Sequence, residues 1–344
     1  MSTIFEKTHI RKNMLTGEKV LVSPHRTKRP WQGKVEAKEI LNEVDYDPNC
    51  YLCPTNSRAG GQITPKYTDT FVFENDFAAL HPAIEAQTIK NGLLEATAEK
   101  GICKVICFSP NHSLTLSKMS IHEIVKVIQT WQNEFKELSE KEFINSVQIF
   151  ENRGETMGCS NPHPHGQIWA QETIPVEIEK KTANLLTYYH QHKTSLLEDY
   201  IRQELVTNER MVYENEDFVV VVPFWAVWPY ETMIVPKKSA KNILEMPPKM
   251  ITNYAKAIKT ITAIYDKVFE VSFPYSAGIH QAPTDDKNYT GWHWHMSFYP
   301  PLLRSASVKK FMVGYEMFAM PQRDITPEQA AKTLQEIKTT LEIL

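Results

Sequence analysis

The residues best suited by type and spacing to do chemistry lie in one stretch, Gly158-Cys159-Ser160-Asn161-Pro162-His163-Pro164-His165-Gly166-Gln167-Ile168-Trp169-Ala170. His163 and His165 stand two residues apart, and in an extended chain such a pair projects to one face. Pro162 and Pro164 fix φ and disfavour helix around the pair. Gly166 is expected to let the backbone approach a ligand closely. Gln167 supplies an amide donor that can reach a phosphate oxygen. An imidazole is an effective nucleophile toward phosphorus near pH 7, because much of it is neutral there. The attacking nitrogen needs its ring partner to keep a proton, and a nearby backbone carbonyl would fix that tautomer.

A second chemistry is signalled by Cys50-Tyr51-Leu52-Cys53, the C-x2-C spacing of half a zinc site. A tetrahedral ion requires two further nitrogen or sulfur ligands. The five cysteines are an odd, low number for 344 residues, which argues against a disulfide framework and for reduced thiols. Cys103, Cys107 and Cys159 have no partners at ligand spacing and read as small buried apolar residues.

Several elements must position these groups. Strand-like runs cover Lys19 to Val22, Thr70 to Glu74 and Lys104 to Ser109. A helix is predicted from Ile121 to Leu138, with Ile124, Val125, Ile128, Trp131 and Phe135 at helical spacing and Ser120 as N-cap. A strand over Ser146 to Glu151 precedes the histidine segment, and a helical region runs from about Pro175 to Glu204. Strands follow at Val212 to Pro223 and Glu231 to Pro236, then a helix over Pro247 to Val268. Strands at Trp292 to Tyr299 and Phe311 to Tyr315 lead to a last helix opened by Thr326-Pro327-Glu328. Two features recur in order. Phe71-Val72-Phe73-Glu74-Asn75-Asp76-Phe77 is echoed by Val212-Tyr213-Glu214-Asn215-Glu216-Asp217-Phe218, and His163-Pro164-His165 by His293-Trp294-His295. This points to a duplicated unit in which one copy keeps the chemistry.

Composition bounds the function. Apolar residues are 42% and charged residues 23%, a globular balance. Lys and Arg total 38 against 41 Asp and Glu, a net charge of −3, which argues against binding nucleic acid by bulk attraction. Anionic ligands must therefore meet local donors such as Arg26, Lys28 and Arg29. The first residues lack the apolar core of a secretory signal. The most apolar stretch, Phe218 to Tyr230, is shorter than the roughly 20 residues of a membrane span and is interrupted by Pro223 and Pro229. A cytoplasmic protein that engages no membrane is expected.

The segment Asn161 to Ala170 resembles the active-site signature of the galactose-1-phosphate uridylyltransferase family, within the histidine-triad superfamily. Ser23 to Gly33, Phe73 to Leu80, Val105 to Pro110, Phe298 to Ser305 and Lys310 to Met317 resemble further blocks of that family. The resemblance spans about residues 5 to 335. It implies an α+β fold: a duplicated, histidine-triad-like unit whose largely antiparallel sheet forms a half-barrel with helices packed outside. The halves would be residues 1–175, carrying the nucleophile, and 176–344, carrying hexose-phosphate contacts.

By the same resemblance, His165 is the nucleophile in a ping-pong transfer of UMP from UDP-glucose to galactose 1-phosphate, giving UDP-galactose and glucose 1-phosphate. Splitting the reaction this way lets both sugar phosphates use one site in turn, and placed donors must meet the charge on the transferring group. Gln167, Ser160, Arg26 and Arg29 are implied as those donors. Asn75, Asp76 and Asn152 are implied to meet uridine and ribose, and Lys310, Phe311, Val313, Tyr315, Glu316 and Gln322 to meet the hexose phosphate. Parts of each site would come from a partner subunit, so a homodimer is implied. Zinc would be held by Cys50, Cys53, His112 and His163. The family's second metal site uses a Glu and three His. Here His280 and His295 match, but Lys181 stands at the Glu position and Ser297 at the last His, so this site is expected to be empty or altered unless Glu177, Glu179 or His293 compensates.

Overall fold

A computed structural model describes residues 3–28 and 43–341. Nine strands form one open antiparallel sheet: β1 Phe71–Glu74, β2 Gly101–Cys107, β3 Ser146–Arg153, β4 His165–Gln171, β5 Met211–Glu214, β6 Phe218–Val221, β7 Thr232–Pro236, β8 Tyr275–His280 and β9 His295–Tyr299. Their spatial order is β1-β2-β4-β3-β8-β9-β7-β6-β5. The seam is the β3–β8 pair, with Ser276 opposite Asn152 and Tyr275 opposite Arg153. Outward from it the N-terminal half runs β3, β4, β2, β1, and the C-terminal half runs β8, β9, β7, β6, with β5 added at the edge. In each half a long helix lies in the chain just before the seam strand: α1 Ile121–Ser139 before β3 and α4 Pro248–Val268 before β8.

The two sheet faces are covered differently, because side chains alternate along a strand. On one face Ile102, Ile106, Val147, Ile149, Ile168, Ile234, Ala277 and Phe298 join α1 and α4 in one core. Helix α1 begins as expected, with a capping box between Ser120 and Glu123, and buries Ile124, Val127, Ile128, Trp131 and Phe135. On the opposite face of the C-terminal half lie α2 Val176–His192 and α3 Leu196–Thr207. They pack Ile178, Leu185, Leu197 and Ile201 on Val219, Val221, Met233 and Val235. That face of the N-terminal half carries Cys50, Leu52 and Cys53 against Val105 and Cys107. A last helix, Pro327–Thr340, opens with a capping box between Thr326 and Gln329.

Three expectations change. The helical region after Pro175 is two helices, because Lys193 takes a positive φ of 60° and Ser195 starts α3 afresh. Phe311 to Tyr315 is not a strand: Gly314 has φ 54°, a single helical turn covers Tyr315–Phe318, and Phe311, Val313 and Tyr315 are exposed. Strand β8, rich in small residues, carried no run of β-branched residues to announce it.

Candidate active site and metal centre

Strand β4 starts at His165, whose Cα partner on β2 is Cys107. Asn161 prepares that start: its side-chain oxygen accepts from the His163 backbone N–H at 2.9 Å. The turn aims His163 at the cysteine loop. Nδ1 of His165 donates to the His163 carbonyl at 2.7 Å. The proton is thereby held on Nδ1, and Nε2 keeps its lone pair. Burial lowers the ring's pKa, which favours the same neutral form. The carbonyl that the chemistry demanded is thus the chain's own, two residues back.

Gln167 shares the face of His165. Trp169 Nε1 donates to Gln167 Oε1 at 3.1 Å, which leaves the amide NH2 as the group available to an incoming oxygen. Gly166 also has a packing role: a Cβ there would meet the Phe108 ring and the Phe150 carbonyl at 3.0 Å. Asn152 lies on β3 with its oxygen accepting from Ser276 Oγ across the seam at 2.7 Å. Ser160 is an exposed residue of the loop before β4. Asn75 caps its own turn, accepting from the Phe77 N–H at 3.0 Å, and Asp76 sits 3.6 Å from Arg58.

Cys50, Cys53, His112 and His163 are all buried, and one ligand atom from each lies within 4.8 Å of the others. Cys53 Sγ is 3.5 Å from Nδ1 of both His112 and His163. Zinc bond lengths imply separations of roughly 3.4–3.8 Å between tetrahedral ligands, so this donor set fits such an ion. The far nitrogen of His163 is 2.8 Å from the Ser109 carbonyl, an outer contact that turns Nδ1 toward the cluster. Burial lowers His163 to about 4, which keeps it in the neutral, ligating form. Nδ2 of Asn161 reaches Cys50 Sγ at 3.4 Å. The metal cluster and the nucleophile's strand are therefore joined through Asn161 and His163.

The implied hexose-phosphate residues gather elsewhere. Lys310 Nζ pairs with Glu316 and with the Gln322 carbonyl. Gln322 Nε2 donates to Asp324 at 2.6 Å, and Arg26 Nε donates to the same carboxylate at 3.1 Å. Among the described residues no hydrogen bond or ion pair joins this group to His165 or Gln167. Arg29 lies outside the described residues, as do Pro30 to Gly33.

The C-terminal half repeats the histidine wiring. His295 Nδ1 is 3.1 Å from the His293 carbonyl, and His293 Nε2 is 2.8 Å from the Pro236 carbonyl at the end of β7. Lys181 of α2 reaches in, its Nζ 3.1 Å from His295 Nε2, while His280 stacks on His295 with ring centroids 5.0 Å apart. None of the three suggested substitute ligands faces this pair. His293 uses Nδ1 on Ser195 Oγ at 2.9 Å, Glu177 is a surface residue paired with Lys180, and Glu179 is exposed. His280 Nδ1 is buried without a partner among the described residues, but a lysine nitrogen 3.1 Å from His295 Nε2 does not fit a metal ion between the two rings.

Asn161, Trp169 and Ser109 escaped a reading by residue type. Trp169 had a signal in its period-two spacing from Gln167. Ser109 acts through its backbone and had none.

A histidine-X-histidine segment opening an antiparallel strand, with a free Nε2 beside an amide donor, defines a histidine-dependent nucleotidyltransferase. A model of the galactose-1-phosphate uridyl transferase N-terminal domain matches residues 2–175, and one of the C-terminal domain matches 177–342. Galactose-1-phosphate uridylyltransferase of Haemophilus influenzae is 46% identical over 97% of this chain and 96% of its own length. The Saccharomyces cerevisiae protein of that name is 46% identical over 96% and 94%, and the Rattus norvegicus one 47% over 96% and 87%. A solved uridylyltransferase superposes with a TM-score of 0.77 at 24% identity over 96% of this chain and 98% of that one. The chain belongs to the galactose-1-phosphate uridylyltransferase family.

Proposed function

We propose that the chain transfers UMP from UDP-glucose to galactose 1-phosphate through a covalent adduct on His165 Nε2. The lone pair attacks the α-phosphorus, the bond to glucose 1-phosphate breaks, and that sugar phosphate leaves as the anion. Galactose 1-phosphate then attacks the adduct with an oxygen that is already anionic, so no strong base is needed, and Nε2 recovers its lone pair. The observation that carries this reading is the His165–His163 carbonyl bond, which fixes the required tautomer. Gln167, Ser160, Arg26 and Arg29 serve as donors to phosphate. Asn75, Asp76 and Asn152 meet the nucleoside.

Zinc is held by Cys50, Cys53, His112 and His163, and pins the segment that presents His165. Two thiol ligands require a reducing compartment, which supports a cytoplasmic location. The pseudo-site at His280 and His295 carries no metal, because Lys181 fills it. The halves 1–175 and 176–344 derive from one duplicated unit, a reading supported by their matched strand order. The enzyme acts as a homodimer. Lys310, Phe311, Val313, Tyr315, Glu316 and Gln322 complete the partner's site, which accounts for the exposed Phe311, Val313, Tyr315, Met317 and Phe318. The ligands are UDP-sugars and hexose 1-phosphates, with neither nucleic acid nor membrane as partner.

Incubation with UDP-glucose alone is expected to add one UMP per chain, seen by intact mass, and to release glucose 1-phosphate. His165→Asn abolishes the adduct in a folded protein. Labelling from ADP-glucose and not from UDP-glucose would refute the uridylyl assignment in favour of an adenine-nucleotide enzyme.

A further inference from the structure

Arg58 is a buried guanidinium without its complement of partners. The residue is 9% exposed. Its guanidinium lies over the Phe73 ring, 4.2 Å from the centroid, with Nη2 3.6 Å from Asp76 Oδ1. Nε and Nη1 are buried and have no acceptor among the described residues. Arginine carries five donors, and leaving buried donors unpaired is costly. Arg153, just as buried, also leaves Nε without an acceptor among the described residues, but it pairs with Asp266 at 2.9 Å and donates to Ser272 at 3.1 Å. Arg323 donates to the carbonyls of Ala226 at 2.7 Å, Pro229 at 3.0 Å and Ile325. Arg11 grips Glu328 with two nitrogens at 2.9 Å each and sends Nε to His9. All three make short contacts with fixed partners, whereas the polar contact of the Arg58 guanidinium is the 3.6 Å approach to Asp76. Arg58 instead resembles a group whose acceptors arrive with a ligand.

Its location fits that reading. Phe73 pairs with Val105, and Val105 with Gln167. Arg58 therefore lies over the face that carries His165, above Phe73, whose backbone is two strand spacings, or about 10 Å, from that of Gln167. Its backbone belongs to the cysteine loop. Asn56 N–H donates to the Cys53 carbonyl, and Asn56 Nδ2 donates to the Cys50 carbonyl at 2.8 Å. Thr64 N–H closes on the Asn56 carbonyl at 2.9 Å, and Arg58 N–H donates to Gln62 at 2.7 Å. The loop that supplies the two thiol ligands thus also sets the height of Arg58 over Phe73.

We propose that Arg58 is a positioning residue for the nucleoside end of the donor. It holds the Asp76 carboxylate in place for the ribose hydroxyls, and oxygens of the bound nucleotide complete its remaining N–H groups. This rests on Asp76 meeting the ribose, as proposed above. It also makes the metal loop and the nucleoside pocket one mechanical unit.

The test compares kcat/KM for UDP-glucose and for 2′-deoxy-UDP-glucose. In the native enzyme the ribo donor is favoured by about 10- to 100-fold, the worth of a hydrogen bond to a charged group. Asp76→Asn brings the ratio toward one. Arg58→Ala is expected to lower it at least fivefold and Arg58→Lys less, with zinc content and Tm recorded for each. If Arg58→Ala does not fold, Arg58→Gln and Arg58→Lys supply the ratio. A collapsed ratio in the Asp76 variant with an unchanged ratio in the Arg58 variants overturns the role given to Arg58. An unchanged ratio in the Asp76 variant overturns the ribose reading itself.

Discussion

Replacing Glu151 by glutamine is expected to stabilise the protein at pH 8 and to flatten the dependence of its stability on pH. Glu151 lies on β3 on the face opposite Asn152, where Tyr275 donates to its Oε2 at 3.1 Å. Burial is the main influence on the carboxyl and pushes it up to about 7 from an ordinary 4.5, against the opposing pull of Arg153 and the Tyr275 hydrogen bond. The folded state therefore binds a proton that the unfolded chain has already lost. Folding stability falls as pH rises from about 4.5 to about 7 and stays reduced above that. At 1.36 kcal/mol per tenfold difference in proton affinity, the interval corresponds to about 3 kcal/mol, an upper figure for the gain at pH 8. Glutamine keeps an acceptor for Tyr275 and carries no charge. Tm of both proteins, measured in parallel from pH 5 to 8.5 with zinc present, should diverge in favour of the variant as pH rises and level off near pH 8. Other titrating groups are common to both and cancel in the difference. Parallel curves would refute the reasoning, since they would mean that Glu151 enters the folded state already ionised.

Asn161→Ala is expected to lower kcat by about 10- to 100-fold with zinc content unchanged, because it loosens the turn between the metal cluster and His165; zinc loss instead would make Asn161 a support of the cluster alone. Elemental analysis should find one zinc per chain, lost in Cys53→Ser, and two equivalents of metal would mean that Lys181 does not close the second site. Mixing inactive His165→Asn and Lys310→Ala proteins should restore about a quarter of native activity if each site takes Lys310 from the partner, and nothing if the site lies within one chain.

Much of the site was legible because its chemistry is local in sequence. Asn161 to Gln167 is one short stretch, and strand geometry alone predicts how its side chains are disposed. Helix α1 was equally legible, since Ser120, Glu123 and the spaced apolar residues all specify the same helix. Arg58 was not, because its meaning depends on Phe73 and Asp76, which only the β1–β2 pairing and the cysteine loop bring to it. Phe311 to Tyr315 misled for a related reason: its alternating apolar residues have strand composition, yet Gly314 turns the chain and no neighbouring strand receives it. Alternation reports a face to be covered and does not say by what.

The proposed assignment of the chemistry to His165 and not to His295 requires a difference between the two halves. His165 and His295 each open a strand, and each directs Nδ1 to the carbonyl of the histidine two residues earlier. His163 places Nε2 on the Ser109 carbonyl just beyond the end of β2, and His293 places Nε2 on the Pro236 carbonyl at the end of β7. Wiring and tautomer are thus shared, and neither can be the source of the difference. What differs is the cover. Over the N-terminal half the cysteine loop packs on the outer strands β1 and β2, and among the described residues none hydrogen-bonds Nε2 of His165. Over the C-terminal half α2 and α3 close the equivalent face, and Lys181 takes the nitrogen that would react. A buried ammonium is disfavoured, and burial pushes Lys181 down to about 7, so its positive charge beside His295 is reduced near neutral pH. On the proposed reading the C-terminal histidine does no chemistry because its Nε2 is occupied and covered, even though the paired histidines persist.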